Sequence, residues 1–143
     1  MSEEKSPPNP PPPLVVDLEW EGDLRFRGRS GDAEILMDSP PKAGPTPVQA
    51  LGFGLAGCMA MDVASILQRG RHDLKGLRVR LEGQRQESHP KRLLAVNLRL
   101  TVVGDVPPDR VERAIQLSRE TYCSVWHSLN PDIEFTTSFE IQN

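Results

Sequence analysis

Hydrophobic and polar residues alternate along the first part of the chain. Leu14, Val16, Leu18 and Trp20 interleave with Val15, Asp17, Glu19 and Glu21, the period-two pattern of a half-buried strand. Glu21-Gly22-Asp23 carries a turn signal. Leu24, Phe26 and Gly28 then alternate with Arg25, Arg27 and Arg29. A second turn at Ser30-Gly31-Asp32 leads into Ala33-Glu34-Ile35-Leu36-Met37. The pattern predicts a meander of three strands.

The period changes after the loop Ser39–Pro45. Thr46 is placed as an N-cap, Pro47 at the first helical position and Gln49 at the third. Thr46 with Gln49 reads as a capping box, and proline at that position sacrifices no useful donor. The helix is predicted to run to about Arg69, with Gly70 as its stop. The stretch from Ala50 to Leu67 has Asp62 as its only charge and contains Gly52, Gly54 and Gly57. It is short for a membrane span and holds a carboxylate, so a buried core helix is expected. Each of those glycines costs about 1 kcal/mol against alanine in a helix, which suggests close approach by another backbone. One short chain has little material to cover such a helix, so a homodimer built around it is expected.

Leu77, Val79 and Leu81 mark a fourth strand, and Ser88-His89-Pro90-Lys91 a turn. Leu94, Val96, Leu98, Leu100 and Val102 form one face of a fifth strand. Beyond Gly104-Asp105-Val106-Pro107-Pro108, a stripe at helical spacing joins Val111, Ile115, Ser118, Tyr122, Val125 and Leu129. Ile133, Phe135, Thr137, Phe139 and Ile141 form a last alternating strand. The order is βββ-α-ββ-α-β. Helices are too few for an alternating parallel sheet, so the fold class is α+β.

Composition adds boundaries. The 143 residues suit one domain. Six of the 14 prolines fall between positions 7 and 13. Residues 1–13 are therefore expected to be a disordered or polyproline leader, and 14–143 a single domain. The N-terminus is polar, so no secretory signal is expected and the cytoplasm is the expected compartment. A net charge of -3 gives no bulk electrostatic case for nucleic acid. GxGxxG, GKS/T and GxSxG are absent, which leaves nucleotide and esterase readings without support.

The chemistry then rests on two cysteines. Cys58 lies about three turns into the first helix and Cys123 late in the second. By themselves they leave three options: inert core thiols, one disulfide, or a redox pair. A reactive thiolate needs a nearby cation, and Arg25, Arg27, Arg29 and Arg85 are the candidates. Asp62 shares the face of Cys58 four residues on, where its charge would raise the thiol pKa unless an arginine paired with it. Cys123 and His127 stand four apart, but two ligands do not make a metal site, and no metal is expected. His72 and His89 fall in predicted turns.

Pro47-Val-Gln-Ala-Leu-Gly-Phe-Gly-Leu-Ala-Gly-Cys58 resembles the central-helix motif of the OsmC/Ohr family (osmotically induced and organic hydroperoxide resistance proteins). Thr121-Tyr122-Cys123-Ser124-Val125, preceded by Ile115-Gln-Leu-Ser118, resembles its second-cysteine motif. Cys58-Met-Ala-Met-Asp62-Val63, with Gly83-Gln-Arg85-Gln-Glu87-Ser-His89-Pro90, looks most like the YhfA-like branch of that family. The resemblance implies an intertwined homodimer and a cysteine-based peroxidase acting on organic hydroperoxides. Cys58 would be the peroxidatic thiol and Cys123 the resolving one. The restoring partner would be an external dithiol such as a lipoyl protein, with no bound cofactor. The family pattern also implies an activating arginine held by a glutamate at the start of the central helix. This chain has Val48 and Gln49 there instead, and Gln49 can hydrogen-bond an arginine without neutralising it. Arg25, Arg27 and Arg29 all lie in the matching region. The alternative reading is a non-enzymatic module that binds a small apolar ligand, or a redox-responsive protein with weak or no peroxidase activity.

Overall fold

The computed structural model describes residues 10–143; the larger part of the expected leader lies outside them. The chain divides into two compact units, Met1–Val48 and Gln49–Asn143.

The first unit is the predicted meander. β1 (Asp17–Trp20), β2 (Phe26–Ser30) and β3 (Ala33–Met37) form an antiparallel sheet in sequence order. Turns at Gly22-Asp23 and Gly31 place Gly22, Asp23 and Gly31 at positive φ, a conformation glycine and aspartate tolerate better than branched residues. After β3 the loop folds around Asp38, which is buried and accepts the backbone N–H groups of Ser39 (2.9 Å) and Ala43 (3.1 Å). The Ala43 N–H, more than the Arg25 guanidinium, holds the Asp38 carboxyl below its ordinary range despite burial.

α1 runs over Pro47–Arg69, with the ends the sequence predicts. The stop itself is built differently. His72 N–H bonds to the Leu67 carbonyl and Arg71 N–H to that of Gln68, the paired bonds of a Schellman motif. The left-handed residue is Arg71, at φ 60, and not Gly70. Leu55, Met59, Val63 and Leu67, each four apart, are buried and put one stripe of α1 in the core. The helix is long and apolar enough to cross a membrane by length and composition, a test that core helices of globular proteins also pass. The expected close approach at the glycines is not met among the described residues. A Cβ built on Gly54 or Gly57 would meet nothing within 4 Å, and one on Gly52 only the Leu81 side chain at 3.9 Å.

β4 (Asp73–Arg85) and β5 (Leu93–Asp105) form a long antiparallel hairpin. Where the hairpin opens, a Cβ on Gly104 (φ +131) would stand 2.0 Å from the Asp73 carbonyl oxygen, so only glycine lets the two backbones meet there. Alternation on β5 follows the sequence: Val96, Leu98, Leu100 and Val102 are buried while Asn97 and Arg99 are exposed. β6 (Glu134–Gln142) adds to β5 in parallel, giving the order β4-β5-β6. A parallel neighbour needs a crossover, and the helical segment between the two strands supplies it. Residues on the other face of this sheet are polar, and Asn97 Nδ2 donates to Thr136 Oγ1 across β5 and β6 at 2.8 Å.

The crossover departs from the predicted single helix. α2 (Pro108–Leu117) gives way to one π-helical turn over Ser118–Tyr122, and a short α3 (Ser124–His127) follows. The wider turn advances the register by about one residue. Val111, Ile115 and Ser118 keep to the buried stripe, but Tyr122 is 58% exposed and Cys123 is buried in its place. Cys123 is the N-cap of α3, and His127, whose N–H bonds to the Cys123 carbonyl at 3.1 Å, is exposed at the end of that helix.

Candidate functional site

Both cysteines belong to the second unit and both are free. Cys58 is half-buried on α1, and Cys123 is fully buried where the π-turn ends. The two thiols are near enough for Cys58 to act electrostatically on Cys123. Two local features fix Cys123. Its backbone N–H bonds to the Ser118 carbonyl at 2.7 Å, closing the π-turn. Its sulfur caps α3 by accepting the Trp126 N–H at 3.4 Å. Trp126 packs on Phe135 with ring centroids 4.5 Å apart, and Arg119 covers the same ring at 4.9 Å.

Burial first, then contact with Cys58 and the charge of Asp62, pushes the Cys123 thiol up from 9.0 to about 11. The Trp126 N–H opposes that rise only in part. Cys123 is therefore a thiol at neutral pH. A thiol more acidic in the unfolded chain costs stability once pH passes its unfolded value, because only the unfolded state then loses the proton. Stability is expected to be intact below about pH 9 and to fall toward about pH 11. Urea midpoints measured across that window under reducing conditions should drop more in the native chain than in Cys123→Ala.

Asp62 stands one turn beyond Cys58 and accepts a 2.7 Å hydrogen bond from Ser118 Oγ. Its hydrogen-bond partner is thus a serine, where the sequence had left open a pairing with an arginine. Ser118 is fully buried. A lone polar residue in the stripe Val111-Ile115-Ser118 was the signal in the sequence that could have singled it out.

The candidate arginines are placed as follows. In the first unit, Arg25 Nη2 pairs with Asp38 Oδ2 at 3.3 Å, and its Nε is buried without a hydrogen-bond partner. Arg27 is held between Glu21 and Glu34, and Arg29 pairs with Glu34. In the second unit, Arg85 is exposed near the end of β4 and donates to the Lys91 carbonyl at 2.9 Å. Gln49 lies in the first turn of α1. A groove of about 480 Å³ opens between the crossover and β6, lined by Ile115, Arg119, Thr137 and Phe139 among others. Neither cysteine lines it.

These features define an α+β protein that holds a free dithiol between its long helix and a crossover. The chain belongs to the family of OsmC-like proteins, whose model matches residues 39–138. It is 39% identical over 132 residues to protein YhfA of Escherichia coli strain K12, covering 90% of this chain and 98% of that one. Among solved structures, a hypothetical protein from Aquifex aeolicus superposes with a TM-score of 0.85 at 29% identity, over 92% of this chain and 97% of the other. An organic hydroperoxide resistance protein OsmC from Legionella pneumophila shares the fold, with a TM-score of 0.68 at 13% identity, over 92% and 99% of the two chains.

Proposed function

We propose that this chain is a thiol-dependent peroxidase that reduces organic hydroperoxides through Cys58 and Cys123. The observation that carries the reading is the proximity of two free thiols on separate segments, close enough for one to act on the ionisation of the other. The family-level likeness to organic hydroperoxide resistance proteins supports it. The half-buried Cys58 attacks the peroxide oxygen as a thiolate. The O–O bond breaks, the alcohol departs with a proton, and Cys58 becomes a sulfenic acid. The Cys123 sulfur then attacks the Cys58 sulfur. A disulfide forms, and the sulfenic hydroxyl leaves with the Cys123 proton as water. An external dithiol, of the lipoyl class, returns both cysteines to thiols and is itself oxidised to a disulfide. Two unlinked thiols accord with a reducing, cytoplasmic setting.

The active form in this reading is a homodimer. The support is apolar surface that a single chain leaves open: Phe53 is 72% and Met61 74% exposed on α1, and Leu14 is 85% exposed before β1. Apolar exposure on that scale marks interaction surfaces.

The test is a coupled assay with cumene hydroperoxide and dihydrolipoamide. Catalytic loss of peroxide is expected, with an intermediate two mass units lighter when the dithiol is omitted. An absence of turnover, with both thiols untouched by excess peroxide, would sink the reading.

A further inference from the structure

We propose that Ser118 and Asp62 form a positioning pair that fixes the order in which the two thiols act, Cys58 first and Cys123 second. The inference rests on reading the cysteines as a redox pair, and it concerns residues that the family's arginine–glutamate pattern does not include.

Ser118 acts at two points. Its side-chain hydroxyl donates to Asp62 on α1 at 2.7 Å, and its backbone carbonyl accepts from Cys123 at 2.7 Å. One fully buried residue therefore ties the carboxylate to the segment that carries the second cysteine. Asp62, four residues after Cys58, is fixed on the same side of α1 as that thiol. The hydroxyl donates and the Asp62 oxygen accepts. A polar side chain with no exposure keeps its place only when its hydrogen bond is made, so the pair is a built feature of the interior.

Placement gives the pair its effect. Cys123 is faced by Cys58 and Asp62 from α1 and by the Trp126 N–H from α3. The cation nearest in sequence, Arg119, is turned over Phe135 of β6. Asp62 thus adds negative charge beside a buried thiol, which disfavours a second negative charge on that sulfur. Cys123 waits as a thiol. Once Cys58 has taken up the peroxide oxygen, its own thiolate charge is gone, and one of the two negative influences on Cys123 goes with it. Ionisation and attack by Cys123 then become easier at the step where they are needed.

The experiment needs no peroxide, so its outcome is separate from that of the turnover assay. In a Cys58→Ser chain, Cys123 is the only thiol, and its alkylation by iodoacetamide is followed against pH. Adding Asp62→Asn should move the midpoint down, so that alkylation at pH 9 runs about twofold or more faster. Ser118→Ala should move it the same way by less, and Ser118→Thr, which keeps the hydroxyl, should restore it. Circular dichroism confirms the fold of each variant, and the serine variants carry the test alone should Asp62→Asn fail to fold. An unchanged midpoint in the folded variants, or a midpoint moved upward, overturns the proposal.

Discussion

Replacing Cys58 with serine should lower hydroperoxide turnover on the order of a thousandfold or more, because loss of a covalent nucleophile removes the step on which every later one depends. The serine hydroxyl is nearly isosteric with the thiol, so the half-buried site on α1 should keep its packing. Stability should therefore change little while activity disappears. Cys123→Ser should behave differently. Its first peroxide equivalent should still be consumed, and the Cys58 sulfenic acid should accumulate, where a dimedone adduct detects it. Turnover kinetics and dimedone labelling on the two variants separate the roles. Full activity in Cys58→Ser would refute the mechanism.

Leu98→Ala should destabilise the second unit by about 2–5 kcal/mol. Leu98 has no exposure and lies on β5, the central strand, between Leu81 of β4 and Thr137 of β6. Strands on both sides limit how far the backbone can relax to fill the space. The cost should therefore include a cavity as well as lost transfer energy. By comparison, removing an exposed ion pair such as Arg80–Glu82 is worth about 0–1 kcal/mol. Urea denaturation decides between the two scales; a loss below about 1 kcal/mol would mean the core repacks around the site.

Much of this fold was legible because local signals coincided with tertiary demands. Pro47 began α1 and the stripe Leu55-Met59-Val63-Leu67 buried one side of it, so both ends matched the reading. Alternation on β5 and β6 was equally plain, since one face of the sheet is core and the other polar. The crossover was not legible. Nothing in the residues 118–122 announces an extra residue in the turn, and a helical period carried straight through puts Tyr122 inward. The buried residue is Cys123, because the π-turn closes from its N–H to the Ser118 carbonyl. Parallel pairing of β5 with β6 was also hidden, because alternation reports which face is buried and not which way a neighbour runs.

The candidate site shows the same division. The two cysteines were found from their motifs, and both lie in the second unit, near enough for Cys58 to act on the ionisation of Cys123. Asp62 was noticed for its charge on an apolar helix, but its partner lies 56 positions away and is a serine. Spacing along one helix cannot reveal a partner supplied by another segment. Arg25, Arg27 and Arg29 were indistinguishable on their strand, yet only Arg25 meets a buried carboxylate, on a loop that the pattern left undescribed.

The π-turn bears on motion as well as on register. A disulfide requires the sulfurs to reach about 2.05 Å, closer than any thiol–thiol hydrogen bond. α1 is a continuous helix of 23 residues with one stripe locked in the core, and it offers little give along its length. The crossover carries its slack in the one widened turn directly before Cys123. In the proposed cycle, closing the bond would draw on the five residues of that widened turn more than on the long helix that bears Cys58.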